Sequence, residues 1–428
     1  MKTEFKLAIS SNTYYHKLMI VQFSARNFKS FKDSFVLDLF TNKDSAVSSL
    51  YNVNGTNIYP SAVFYGANAS GKSNILKAFS MMRRLVLNQD KIIQSTDILP
   101  TNRFKLSTTS ENDTTAFDVC FVFEGRKYKY GFEYDETCVY SEYLYFYDSV
   151  QPTTVFEYDV AENNGTIKIT RFKELKKINH LKNSLFLLEA DRYGNEEAKQ
   201  VLKWFSTTHI VEFSPTRRVN PDYYNLLLYP EIKNKFISFI NNADFGIKDI
   251  FQETNPISDI YDQIPNFPKN AKLEEIYIKT IHSKVDENNN FAGDVKFDLF
   301  EDESLGTRKI FEAIGPILDS LQKGAVLFLD ELDASLHPIL TRKIVELFNN
   351  AKSNPHGAQL IFTSQDTNLL DQTLFDKEQI WFIEKDKFGA SHLVSLAEYK
   401  DVRKEHKIER NYILGKYGAI PYLGDFSF

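Results

Sequence analysis

Apolar and polar positions alternate from Met19 to Arg26, which predicts a strand. A turn follows at residues 27–31, and a second strand is expected over Ser34–Leu39. Residues 60–65 form a short apolar run. A loop of small residues comes next, and then Ile75, Leu76, Phe79, Met82 and Leu85 recur at helical spacing. Between 104 and 147 the period becomes two. FDVCFVF, KYKYGFEY and SEYLYFY, parted by turns at GRK and DET, predict antiparallel strands. From about 183 to 250 the spacing is helical, with strand-like pieces such as THIVEF. Residues 251–293 are polar, with PISDIYDQIPNFPKN (256–270) predicting a loop, and a short strand is expected at 294–300. A helix ending at Gly324, a buried strand at 326–331, a helix from Pro338 and strands at 359–366 and 379–386 follow. Strands alternating with helices predict a mainly parallel sheet. There is no internal repeat, sustained heptad or low-complexity segment.

Length and composition change this picture only at the edges. At 428 residues, two to three domains or lobes are expected, at ~150 residues each. Hydrophobic residues make up 43% and charged residues 25%, enough apolar surface for a sizeable core. Lys plus Arg number 51 and Asp plus Glu 57, so the net charge of -6 gives no sign of a bulk nucleic-acid binder. Two cysteines, Cys120 and Cys138, cannot form a disulfide framework and suit a cytoplasmic location. No run approaches the ~18–20 apolar residues of a spanning helix. Residues 1–18 lack the apolar core of a signal peptide and are expected to be a loose extension.

The chemistry begins at Gly66-Ala67-Asn68-Ala69-Ser70-Gly71-Lys72-Ser73, a G-x-x-x-x-G-K-S pattern between a strand and a helix. Glycines let successive N–H groups point at phosphate oxygens, and the helix N-terminus adds partial positive charge. Lys72 is expected on the β- and γ-phosphates and Ser73 on Mg²⁺, with Asn74 extending the ATP-binding set. The alternative is a chance glycine turn. The apolar strand Val326–Leu329 ends in Asp330 and Glu331, which places two acids beside the phosphate loop. Asp330 is expected to hold Mg²⁺ and Glu331 to deprotonate the attacking water. The alternative is a core strand with an acidic loop.

Upstream, Glu303-Ser304-Leu305-Gly306-Thr307-Arg308-Lys309 opens a helix. A Ser-x-Gly turn there is an anion site, or a plain capping turn with Ser304 or Thr307 as N-cap. Its order resembles the signature motif of ATP-binding-cassette ATPases, in which Ser and Gly of one subunit close over the γ-phosphate held by the other. Residues 332–338 resemble the D-loop of that superfamily, with a structural role expected for His337. The strand Gln359–Thr363 leads into Ser364-Gln365-Asp366, where the superfamily has a phosphate-sensing histidine. Gln365 can donate a hydrogen bond but carries no charge, so it either slows turnover or positions water. No glutamine has the context of a Q-loop.

In order along the chain come NFKSF, the phosphate loop, FKLS, KYKYGFEY, NNADFGIKDI, ESLGTRK, FLDELDASLHP, QLIFTSQDTNLLD, QIWFIEKDKFGASHLVSL and NYILGKYGAIPYL. Together these resemble the compact ABC/SMC-like ATPases of prokaryotic defence, of the RloA, AbiL and PARIS (AriA) type. Those are relatives of the ATPase half of overcoming-lysogenization-defect nucleases. The resemblance implies ATP and Mg²⁺ as cofactors, a head-to-tail homodimer or higher oligomer, and a sensor role in anti-phage defence. It also implies a separately encoded effector, often a TOPRIM-like nuclease.

The expected fold is α/β: a P-loop NTPase head of ABC type, with a mixed sheet, an antiparallel β subdomain and an inserted helical lobe. The expected boundaries are 19–180 and 311–428 for the two halves of the head and 181–310 for the lobe. The rival function is a RecF/Rad50-like ATPase that binds DNA, and a third option is a scaffold that hardly hydrolyses its nucleotide. Lys173–Lys182 and Arg217-Arg218 are candidate nucleic-acid contacts, or solvated basic faces.

Overall fold

A computed structural model describes residues 18–41, 50–53, 55–160, 167–168, 172, 180–212, 229–242, 245–256, 274–400, 402 and 407–421. The N-terminal extension, most of the basic stretch 173–182, Arg217-Arg218 and all but the first residue of the expected loop at 256–270 lie outside them. The chain divides into two compact units. One gathers the described parts of 1–210, 320–330 and 342–428, and the other those of 211–319 and 331–341.

The first unit contains a seven-stranded antiparallel sheet. Its strands are β1 (Met19–Arg26), β2 (Phe35–Asp38), β7 (Thr115–Phe123), β8 (Arg126–Tyr134), β9 (Val139–Tyr147), β10 (Thr153–Asp159) and β11 (Ile167–Lys168), in the order β11-β10-β9-β8-β7-β1-β2. The period-two runs after residue 115 therefore become β7, β8 and β9. A small sheet joins β3 (Phe40–Thr41), β4 (Tyr51–Val53) and β5 (Thr56–Ile58). A six-stranded mixed sheet holds β6 (Ser61–Gly66), β12 (His209–Val211), β16 (Val326–Leu329), β17 (Gln359–Thr363), β18 (Ile380–Lys385) and β19 (Ser391–Ser395). Its order is β12-β16-β17-β6-β18-β19, with β16, β17, β6 and β18 parallel and β19 antiparallel at the edge. The strand before the phosphate loop is thus central, and the acidic strand lies two places away.

Helix α1 (Lys72–Val86) begins inside the phosphate loop and is buried on more than one stripe. Its five expected core residues are buried, and so are Ala78, Met81 and Val86. The reason is visible at Phe79, which stacks on Phe328 of β16 at 4.3 Å and meets Phe23 of β1 edge-on at 5.4 Å. A helix held between two sheets needs apolar residues on two sides. Helix α2 (Phe186–Arg192) leads into α3 (Glu196–Thr207), whose Trp204 stacks on Phe121 of β7 at 4.0 Å.

Glu142 on β9 is fully buried. It accepts hydrogen bonds from the Phe186 and Leu187 N–H groups and from the Tyr130 hydroxyl, so it closes the first turn of α2. Burial outweighs those donors and pushes its carboxyl up from 4.5 to about 7. A carboxyl whose folded value is raised lowers stability as pH climbs from the unfolded value to the folded one. Wild type is therefore expected to lose stability between about pH 4.5 and 7 through this group. Subtracting Glu142→Gln unfolding midpoints from wild-type midpoints across that range isolates it; a flat difference would remove Glu142 from the account.

The second unit contains helix α4 (Pro230–Asn242), an antiparallel sheet of β13 (Ile247–Pro256), β14 (Glu274–Val285) and β15 (Phe291–Asp298), and the start of α5 (Leu305–Lys323). Here the sequence reading needs correction. Within the polar stretch 251–293, residues 251–256, 274–285 and 291–293 are strand, so the insertion is not helical throughout. One face of this sheet carries lysines over rings, with Lys248 on Phe291 at 4.2 Å and Lys296 on Phe251 at 4.7 Å. Such a face conceals a strand in sequence because its long polar side chains interrupt the apolar positions Ile276 and Ile278. Helix α6 (Pro338–Asn349) and the short α7 (Ile408–Ile413) complete the elements.

Candidate functional site

Strand β6 delivers the chain into a tight loop. Ala69 (φ 61°) and Gly71 (φ 116°) lie in the left-handed region. A Cβ on Gly71 would come within 2.6 Å of Ser391 Oγ and 2.7 Å of Ser30 Oγ, so glycine is required there on steric as well as conformational grounds. Gly66 is equally confined, since a Cβ would meet the Ile383 carbonyl oxygen at 2.5 Å. The loop is braced from outside: Ser391 Oγ donates to the Ser70 carbonyl at 2.5 Å, Ser391 N–H donates to the Ser30 carbonyl at 2.7 Å, and Asn74 Nδ2 donates to Ser30 Oγ at 2.7 Å.

Lys72 is only 8% exposed. Its ammonium donates to the carbonyls of Gly66 at 2.7 Å and Ala67 at 3.2 Å, across the loop. No acidic residue lies in the first turn of α1 and no side chain caps it. The Ser70 hydroxyl is buried without a hydrogen-bond partner. A pocket of backbone donors at a helix N-terminus, with one ammonium and one unpaired hydroxyl, fits a polyphosphate.

Asp330 follows β16. Its Oδ1 accepts from Ser73 Oγ at 3.1 Å and from Thr363 Oγ1 at 2.7 Å. The strand register thus places the expected pair Ser73 and Asp330 together. It also adds Thr363, which the sequence reading passed over as a strand residue; its signal is that it closes β17 directly before Ser364-Gln365. One carboxylate and two hydroxyls are hard oxygen donors of the kind Mg²⁺ takes when it keeps water and phosphate as its other ligands.

Gln365 is exposed just beyond β17, where Thr363 pairs with Phe64 of β6. Its turn is held by Asp366 N–H donating to Ser364 Oγ at 3.0 Å. The Tyr65 hydroxyl also donates to the Asp366 carbonyl at 2.8 Å, so the residue before the phosphate loop grips the residue after Gln365. Thr367 Oγ1 donates to Glu409 of α7 at 3.0 Å. Phe382 of β18 lies parallel to Tyr412 at 5.3 Å and Tyr417 at 5.4 Å, which docks the NYILGKYG segment on this side of the sheet.

Glu331 follows Asp330 in the chain, is exposed, and has φ 51°. In the second unit, Ser304 Oγ accepts from Thr307 N–H at 3.1 Å, so it caps α5, which is the plainer of the two readings of this serine. Gly306 lies against the loop after Glu331: a Cβ would fall 2.5 Å from the Ser335 carbonyl oxygen. His337 Nδ1 accepts from Ile339 N–H at 3.3 Å at the start of α6.

A phosphate loop at the centre of a parallel sheet, with a carboxylate and two hydroxyls beside it, defines a P-loop ATPase of α/β fold. The sequence profile described as "AAA domain, putative AbiEii toxin, Type IV TA system" matches residues 61–371, and the chain belongs to that family. No curated protein matches it. Among solved structures it is similar to one titled "Crystal structure of the SmcHead bound to the C-winged helix domain of ScpA". The two share 13% identity, with 88% of this chain and 97% of that chain covered and a TM-score of 0.40. Among the described residues, no helix is long and apolar enough to cross a membrane.

Proposed function

We propose that the chain hydrolyses ATP in the cytoplasm as an ABC-type head that pairs head-to-tail with a second copy. The observation that carries this reading is the Ser73–Asp330–Thr363 oxygen set beside Lys72 in an anion-ready loop. In the proposed cycle the loop amides and Lys72 bind the β- and γ-phosphates, and Ser73 and Asp330 hold Mg²⁺. Bound magnesium supplies charge neutralisation on the phosphate oxygens. Glu331 takes a proton from the attacking water, and Gln365 orients that water. Ser304 and Gly306 of the second copy close over the γ-phosphate. Such a dimer suits the control of a separately encoded effector in anti-phage defence, of the RloA, AbiL or AriA type.

The test has two arms. The purified chain is expected to turn over ATP with Mg²⁺ and to lose turnover in EDTA. Cells carrying the gene with its neighbours are expected to restrict phage plating, and to stop doing so when Ser304 is replaced by arginine. Turnover that is stimulated by DNA and falls steeply with salt would favour the RecF/Rad50-like reading instead.

A further inference from the structure

We infer that His282 and Glu303 are positioning residues for the Ser304–Gly306 turn, and that they set ATP turnover in the opposite subunit. This rests on the head-to-tail reading above.

Glu303 immediately precedes Ser304, and its carboxylate is turned inward, with the residue only 9% exposed. A buried carboxylate is costly unless its oxygens are paired. Here Oε1 lies 2.7 Å from His282 Nε2 and also accepts from the Thr280 hydroxyl. An ionised carboxylate only accepts, so His282 Nε2 carries the proton in this contact. Thr280 and His282 are two residues apart on β14, so both project from one face. Their register is fixed on both sides, His282 opposite Ile247 of β13 and Val295 of β15. The His282 ring also lies on Phe297 at 4.6 Å.

The backbone of the turn is tied to the same residue. Arg308 Nε donates to the Glu303 carbonyl at 3.1 Å, and Arg308 N–H donates to the Ser304 carbonyl at 3.0 Å. On its other flank the turn abuts Ser335 at Gly306. The Ser-x-Gly turn therefore has two fixed supports, the β14 face through Glu303 and the loop after Glu331 through Gly306. Neither His282 nor Glu303 takes part in the hydrogen bonds of Lys72, Ser73 and Asp330. On the head-to-tail reading their main effect reaches ATP through the turn, and so in the partner copy.

The test uses the full chain. His282→Phe is expected to lower kcat about tenfold, as for loss of a positioning group, while affinity for a fluorescent ATP analogue stays at the wild-type value. His282→Gln, which keeps a donor near the Nε2 position, is expected to recover most of the rate. His282→Phe is then mixed before nucleotide addition with Glu331→Gln, a copy whose own base is lost but whose Ser304 turn is intact. Turnover is expected to rise to about one quarter of wild type, the statistical share of sites joining an intact base to an intact turn. Wild-type kcat in His282→Phe, or no rise on mixing, overturns the inference. The parallel mixture of Ser304→Arg with Glu331→Gln separates the two levels: if it too fails to rise, the head-to-tail reading falls as well.

Discussion

Lys72→Ala is expected to abolish measurable ATP binding. The wild-type ammonium is already desolvated and held by two carbonyls at the mouth of the loop, so its transfer to phosphate exchanges neutral acceptors for charged ones. Hydrogen bonds to charged groups contribute ~1.5–3 kcal/mol each, and contacts to two phosphates together weaken binding by roughly two to four orders of magnitude when lost. The backbone geometry set by Ala69 and Gly71 is unaffected, so the variant should remain folded. It should unfold somewhat earlier, because the Gly66 and Ala67 carbonyls lose their buried donor. Equilibrium titration with a fluorescent ATP analogue reads the first effect and thermal unfolding the second. Wild-type affinity in a folded Lys72→Ala protein would remove the loop from the nucleotide site.

Glu331→Gln is expected to produce the opposite phenotype: nucleotide still binds, but hydrolysis falls by ~10²–10⁴, the usual range for loss of a general base. The amide cannot accept the water proton at neutral pH, yet it preserves side-chain size at an exposed position with φ 51°. ATP should therefore accumulate uncleaved and hold two copies together, seen as a dimer in light scattering with ATP and a monomer without it. A single-turnover rate equal to wild type would assign the base elsewhere. These two variants also separate the options at Gln365. A chain that binds ATP tightly but hydrolyses it no faster than its own Glu331→Gln form is a nucleotide-bound scaffold.

Much of the first unit was legible because its signals are local. G-x-x-x-x-G-K-S demands its loop, the run Val326–Leu329 demands a buried strand, and the alternation through KYKYGFEY and SEYLYFY demands a twisted antiparallel sheet. The pairing of Ser73 with Asp330 followed from the order of strand-end motifs. Thr363 did not, because the reach of a hydroxyl at a strand end depends on which strand lies beside it, and that is a property of topology. β14 is not legible in the sequence for a different reason. Thr280 and His282 look polar in sequence, yet they are half of a buried network whose other half, Glu303, comes more than twenty residues later and belongs to another motif. The exposure of Gln365 and the grip of Tyr65 on Asp366 likewise required the parallel register of β6 and β17.

Gln359 ties β17 to β1 and to Tyr59 ahead of β6. Its Oε1 accepts from Ile20 N–H at 2.9 Å, and its Nε2 donates to the Ile20 and Tyr59 carbonyls at 3.0 and 2.9 Å. The first of these contacts spans 339 residues of sequence. During synthesis, at ~5–20 residues per second, the amino-terminal strands wait roughly 20–70 seconds for that partner to be made. Through that interval β6 lacks both of its sheet neighbours, β17 and β18, and until residue 329 is made the apolar flank of α1 has no β16 to cover it. The nascent chain therefore carries its phosphate loop without β17 and β18 beside it until residue 385 has been translated.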